Sequence, residues 1–205
     1  MRRTVWTLMC VAGMGVWTAA AFGGDDCKGC AKIKMAGQGF CADCKTGQIF
    51  GLTLTSQGLF DTLAGSSDTL AKMKDSKCPG CKEAVENNGT CEHCHNFVAS
   101  GKVYKNSFAY TLARGDQIDR AAKKSCPGCA EAVKNKSGFC SACDVGIVAG
   151  RAFKTRSFYD SATKAYETVK AAVKDASHCE MCSTARLTNG TCEHCKVAFK
   201  DGKPV

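Results

Sequence analysis

The sequence predicts a small α+β protein: four tandem cysteine-knuckle modules joined by short helices. Three observations lead there. Sixteen of the seventeen cysteines form eight Cys-x2-Cys pairs, and the pairs group two by two, with 10, 9, 10 and 9 residues between partners. The resulting quartets begin 51, 48 and 53 residues apart, a period of repeated supersecondary units. The spacers between them carry apolar residues at helical intervals.

The quartets are Cys27, Cys30, Cys41 and Cys44; Cys78, Cys81, Cys91 and Cys94; Cys126, Cys129, Cys140 and Cys143; and Cys179, Cys182, Cys192 and Cys195. Two thiolates separated by two residues grip one side of a cation. A second pair, brought back by a short hairpin, completes a tetrahedron. All sixteen are candidate metal ligands. A closed quartet keeps no position for water or substrate, which argues against metal catalysis. The chain shows no serine triad, His-Glu-x-x-His or phosphate-cradling glycine loop, so no catalytic residue is expected.

The start of the chain sets an expected compartment. Residues 1–21 read as an export signal. Arg2 and Arg3 supply its positive charge, Val5 to Val16 its apolar stretch, and Ala19, Ala20 and Ala21 a small-residue cleavage site. The unpaired Cys10 lies inside it. The arginine pair also resembles a twin-arginine signal, which would carry the protein out already folded, but its flanking residues do not fit the fuller pattern and ordinary Sec export is the favoured reading. The mature chain is therefore expected outside the cytoplasm, periplasmic or secreted, with no membrane span.

Charge excludes less than it suggests. The formal net charge is +9, or +7 without Arg2 and Arg3. Four thiolates around one dication carry −2, so four loaded quartets bring the chain close to neutral. Lys28, Lys32, Lys45, Lys77, Lys82, Lys123 and Lys124 are expected to balance those clusters. A nucleic-acid partner is not expected.

The repeat divides the chain into module one (25–76), module two (77–124), module three (125–177) and a truncated module four (178–205) expected to lack a helix. Alternate modules match best. Modules two and four share Asn-Gly-Thr-Cys-Glu-His-Cys at Asn88–Cys94 and Asn189–Cys195, and modules one and three share Gly-Phe-Cys-x-x-Cys from Gly39 and from Gly138. Every module has a glycine two residues before its third cysteine: Gly39, Gly89, Gly138 and Gly190. The sequence places a positive-φ turn there, with Asn-Gly as a hairpin turn in two modules.

After the second knuckle an extended stretch is expected, as at Ile147–Phe153 and Phe97–Tyr104. A helix then follows in the first three modules. Ser157–Ser177 is the clearest, with Phe158, Ala162, Ala165, Tyr166, Val169, Ala172, Val173 and Ala176 on one face. Its counterparts break at Gly65 and Gly115. Ser67 or Asp68, and Asp116, could cap a second short helix there.

Cys126-Pro127-Gly128-Cys129 followed by Phe139-Cys140-Ser141-Ala142-Cys143 resembles a short zinc ribbon, and Cys78-Pro79-Gly80-Cys81 with Cys91 and Cys94 is nearly as close. The likeness to zinc-ribbon and double-zinc-ribbon families covers about 18 residues of each module. It implies zinc, about four ions, in structural four-cysteine sites. The glycine those families often carry after a knuckle cysteine is replaced here by Lys45, Lys82 and Ala130. A unit of this size with few large apolar side chains needs a staple, and a structural zinc site supplies roughly 10–16 kcal/mol of apparent binding free energy.

Other readings of the same cysteines stay open. Export permits a disulfide framework. Iron can replace zinc in a tetrathiolate site. The Cys-Pro-Gly-Cys pairs have the form of thiol–disulfide exchange sites. Cys91-Glu92-His93-Cys94-His95 matches a haem-attachment motif, but its repeat partner ends in Lys196 and its cysteines already belong to a quartet. His93, His178 and His194 lie beside ligand cysteines and are expected outside the ligand set. The expected function is an exported, non-enzymatic zinc-binding repeat that presents a surface to another protein. Zinc or copper handling is the alternative, ahead of thiol exchange.

Overall fold

In a computed structural model, residues 27–122 and 125–205 are described. The expected export signal, Cys10, Lys123 and Lys124 lie outside them. No helix among the described residues is long and apolar enough to cross a membrane.

Each module repeats one order of elements. Module one runs α1 (Lys28–Ala36), β1 (Gly39–Cys41), β2 (Thr46–Ile49), β3 (Leu52–Leu54), α2 (Gln57–Ala64) and α3 (Ser67–Lys74). Module two follows with α4 (Pro79–Asn87), β4 (Thr90–Cys91), β5 (Asn96–Ala99), β6 (Lys102–Tyr104), α5 (Ser107–Ala113) and α6 (Ile118–Ala121). Module three is α7 (Pro127–Lys134), β7 (Gly138–Cys140), β8 (Val145–Val148), β9 (Arg151–Lys154) and the long α8 (Arg156–Ala176). Module four is α9 (Glu180–Thr188), β10 (Thr191–Cys192), β11 (Val197–Lys200) and β12 (Lys203–Pro204). Every sheet is a three-stranded antiparallel meander.

Three local expectations need correction. First, a helix, not a simple hairpin, separates the two knuckles. Module four has one too: α9 stands where no helix was expected. Second, Asn88 and Asn189 are left-handed C-caps of α4 and α9, each closed by a backbone bond to the helix. They end helices and do not turn hairpins. Gly89 and Gly190 are consequently not at positive φ, whereas Gly39 (φ 154°) and Gly138 (φ 127°) are. Third, the extended stretch after each second knuckle is a hairpin. Its two-residue turns are Phe50-Gly51, Ser100-Gly101, Ala149-Gly150 and Asp201-Gly202, with φ of 50–52° at the first residue and 72–73° at the glycine. Positive φ at both positions is the type I′ geometry, which matches strand twist. Phe50 occupies an unfavourable conformation for a bulky side chain, and its burial in the core offsets that cost.

The strands explain why alternate modules resemble each other. In modules one and three the aromatic before the third cysteine faces a glycine across the hairpin: Phe40 opposite Gly47, Phe139 opposite Gly146. In module two the pair is reversed, with Thr90 opposite Phe97. Either strand supplies one ring, which meets a ring from the following helix. The pairs are Phe40–Phe60 at 5.7 Å, Phe97–Tyr110 at 5.2 Å and Phe139–Tyr159 at 5.3 Å. Two rings on one cross-strand pair would collide. Module four has Thr191 opposite Ala198 and neither ring.

The modules hook onto one another through backbone. Ser66 and Val103 exchange bonds of 2.8 and 3.0 Å, so the link after α2 pairs with the outer strand of module two. Asp116 and Ala152 do the same between modules two and three, at 2.8 and 3.0 Å. The preceding glycines allow the approach: a Cβ on Gly65 would lie 2.8 Å from the Tyr104 ring, and one on Gly115 2.7 Å from Phe153. Lys102 and Arg151, equivalent residues opening β6 and β9, donate to the last carbonyls of α2 and α5. This satisfies helix-end acceptors with a favourable charge. Ser66 itself caps α3, in place of the expected Ser67 or Asp68. Asp116 is taken by the bridge, and Gln117 precedes α6 without a side-chain cap.

One core serves all four modules. It joins Leu54, Leu59 and Leu63 of module one to Leu112, Phe153 and Val169 of modules two and three, and to Leu187 of module four. The alanine stripe of α8 is buried as expected at Ala162, Ala165 and Ala172, and its small residues let α5 and α9 approach closely. Phe158 departs from the expectation. It is 48% exposed and lies under the Arg114 guanidinium. Asn106, buried between modules one and two, is satisfied at both ends of its amide: Oδ1 accepts from Ala109 N–H and Nδ2 donates to Thr62 O.

Candidate metal centres

Each quartet is assembled by the same two elements. The first cysteine is the N-cap of a helix and the second is its third residue: Cys27 and Cys30 on α1, Cys78 and Cys81 on α4, Cys126 and Cys129 on α7, Cys179 and Cys182 on α9. This spacing turns both sulfurs toward the helix N-terminus. The third cysteine ends a strand (β1, β4, β7 or β10), and the fourth lies in the tight loop that follows. The residue after the fourth cysteine is left-handed in every module: Lys45, His95, Asp144 and Lys196, at φ 49–55°. Lys45 thus takes a left-handed conformation without being a glycine.

The sixteen candidate ligands come together in four groups of four. The four sulfurs of each quartet lie within 4.8 Å of one another. Separations include Cys27–Cys41 at 3.5 Å, Cys81–Cys91 at 3.6 Å, Cys126–Cys140 at 3.5 Å and Cys179–Cys192 at 3.7 Å. A tetrahedron with metal–sulfur bonds of about 2.3 Å has edges of about 3.8 Å, so the quartets are the right size. All sixteen are free cysteines, converging in fours and not paired as disulfides. Cys91 and Cys94 face Cys78 and Cys81, which absorbs the haem-like motif into the second quartet.

The helix N-terminus supplies electrostatics that sequence reasoning missed. The backbone N–H of Cys30 draws the Cys27 thiol down to about 7, and neighbouring thiols add to this. Cys78 and Cys126 are lowered to about 7 by the equivalent N–H groups of Cys81 and Cys129. In the fourth quartet the position changes: Cys192 is lowered to about 7, and its sulfur accepts from the Cys195 N–H at 3.4 Å. Partner thiols then move the other way. Cys44 and Cys143 are pushed up to about 12, chiefly by hydrogen bonding with neighbouring cysteine sulfurs, Cys27 foremost for Cys44 and Cys129 foremost for Cys143. Cys81 is pushed up to about 12, first by burial. A quartet so arranged holds one anion readily and needs a cation to hold more. The signal was present in Pro79 and Pro127, since proline favours the first position of a helix.

No known family, curated protein or solved structure matches the chain. Its class therefore rests on the molecule: tandem zinc-ribbon-like modules, each an α+β knuckle built around a four-cysteine group suited to a structural metal ion.

Proposed function

We propose that the chain is an exported, non-enzymatic zinc-binding repeat protein. Four tetrathiolate zinc centres make rigid a surface that another protein recognises. One observation carries the metal reading: four sulfur quartets, each of tetrahedral size and closed by protein ligands alone. A borderline-soft dication fits such a set, and zinc needs no redox partner or open position.

Support for a protein partner comes from the surface around α5 and α8. Arg114 lies 5.5 Å from the Tyr110 ring and 5.1 Å from Phe158, and Arg156 lies 5.0 Å from Phe139 and 5.6 Å from Tyr159. Arginine and aromatic side chains are the groups that anchor protein interfaces. The near-neutral charge of the loaded chain gives no electrostatic footprint for nucleic acid.

The deciding experiment is elemental analysis and native mass spectrometry of protein purified without added metal. Four zinc ions per chain are expected, with sixteen titratable thiols after unfolding in chelator. Iron in their place would show as a red colour. Metal-free, fully oxidised and still folded protein overturns the proposal.

A further inference from the structure

We infer that the fourth centre is an exchangeable metal site: it releases and regains its ion while the chain stays folded, whereas the other three hold theirs. The inference rests on the reading that the quartets bind metal. It assigns to one of them a metal-handling role distinct from structural support.

The fourth quartet is the open one. In the first three centres the second and third cysteines are buried and the outer two half-buried. In the fourth only Cys192 is buried, Cys182 is half-buried and Cys195 is exposed. The second residue of each knuckle helix differs as well. Gly29, Gly80 and Gly128 stand there in modules one to three, and a Cβ at those positions would lie only 2.9, 3.2 and 3.0 Å from the third cysteine's sulfur. Module four has Met181 at this position, 51% exposed. The third cysteine is nevertheless covered, Cys192 being 0% exposed, so the opening lies at Cys182 and Cys195.

A replacement ligand is at hand. His194 Nδ1 is 3.5 Å from Cys195 Sγ and 3.9 Å from Cys179 Sγ, so it bridges both knuckles. His93 in module two approaches Cys94 similarly, at 3.6 Å, but there Cys81 is buried and Cys94 half-buried. With a dication held by the four sulfurs, exchange would let Cys195 leave as a thiolate, free to take up a solvent proton, while the His194 imidazole or a donor atom of the incoming chelator would supply the missing lone pair. No electron is transferred.

Release need not unfold the module, because α9 is held by contacts that involve no metal. Leu187 is 1% exposed within the shared core. Arg186 pairs with Asp175 at 2.7 Å, with both largely buried, and donates to the Gly202 carbonyl. The β11–β12 turn rests on Thr168 of α8. Module one differs: apart from its cysteines, the buried cluster under α1 contains only Ile33.

The test uses the full zinc-loaded chain mixed with excess chromogenic zinc chelator, 4-(2-pyridylazo)resorcinol, with circular dichroism followed in parallel. One equivalent in four should leave at least about tenfold faster than the rest, without loss of helix signal. Cys195→Ser should remove that fast equivalent, leaving three ions per chain. His194→Ala should slow it several-fold; the site is exposed, and folding can be checked by the same helix signal. Four ions leaving at one rate would overturn the inference but leave zinc binding intact, as would a fast equivalent that survives Cys195→Ser. A chain isolated with no metal at all would instead overturn the reading beneath it.

Discussion

Ser56 donates its hydroxyl to the Glu180 carboxylate, joining the first module to the fourth across 124 residues of chain. Ser56 is also the N-cap of α2, accepting from Leu59 N–H at 3.0 Å, and Glu180 opens α9 between the ligands Cys179 and Cys182. One hydroxyl therefore ends a helix and closes the array. Ser56→Ala should cost about 0.5–2 kcal/mol through the lost cap. Glu180→Gln, which keeps a hydrogen-bond acceptor, should cost less than about 1 kcal/mol. Chemical denaturation of the metal-loaded protein measures both. Equal losses would mean that the cap contributes nothing beyond the contact between modules.

Metal removal should dismantle the chain unevenly. The shared core runs through α2, α5 and α8 and contains no cysteine, while α1 depends on its quartet and Ile33. After exhaustive chelation, hydrogen exchange should accelerate first in residues 28–36 and last in the buried face of α8. Uniform loss of protection would show that the core does not stand without the ions.

Metal affinity should fall with pH in a defined direction. Cys27, Cys78, Cys126 and Cys192 ionise at about 7, while Cys44, Cys81 and Cys143 hold their protons to about 12. Binding needs thiolates, so it must expel protons from the second group at neutral pH, and from both groups below 7. Competition titrations at pH 6, 7 and 8 should show affinity dropping by more than about tenfold per unit of acidification, most steeply below 7. Proton release in weak buffer should accompany loading.

The reversed aromatic pair makes a substitution test. A Cβ on Gly47 would lie 2.6 Å from the Phe40 ring across the strand pair, so Gly47→Phe should destabilise by about 1–3 kcal/mol through overpacking. Adding Phe40→Thr recreates the Thr90–Phe97 arrangement of module two and should recover much of the loss. Thermal melting of the single and double variants gives the coupling. No recovery would mean that the two hairpins differ in more than this pair.

The ligand set was legible because cysteine spacing is a local property: two residues apart places two sulfurs on one side of a turn, whatever surrounds it. The apolar face of α8 was legible for the same reason, its 3.6-residue period being written along one segment. The knuckle helices were half legible. Pro79 and Pro127 mark helix starts, but α1 and α9 begin at Lys28 and Glu180 with no such sign. Asn88-Gly89 misled because the same dipeptide that turns a hairpin also ends a helix, and the choice depends on whether a helix precedes it. Phe158 misled because it shares a helical face with core residues but lies at the first turn, beyond the edge of the core.

Local spacing in the chain was enough to establish the four sulfur quartets, their order and the pairing of like modules. It could not establish that the modules share one core, that Ser66 and Asp116 extend a neighbour's sheet, or that the fourth centre is the open one. Those features depend on residues dozens of positions apart meeting at van der Waals distance. Which groups meet there is decided by how helices and hairpins pack against each other, and no single segment carries that information.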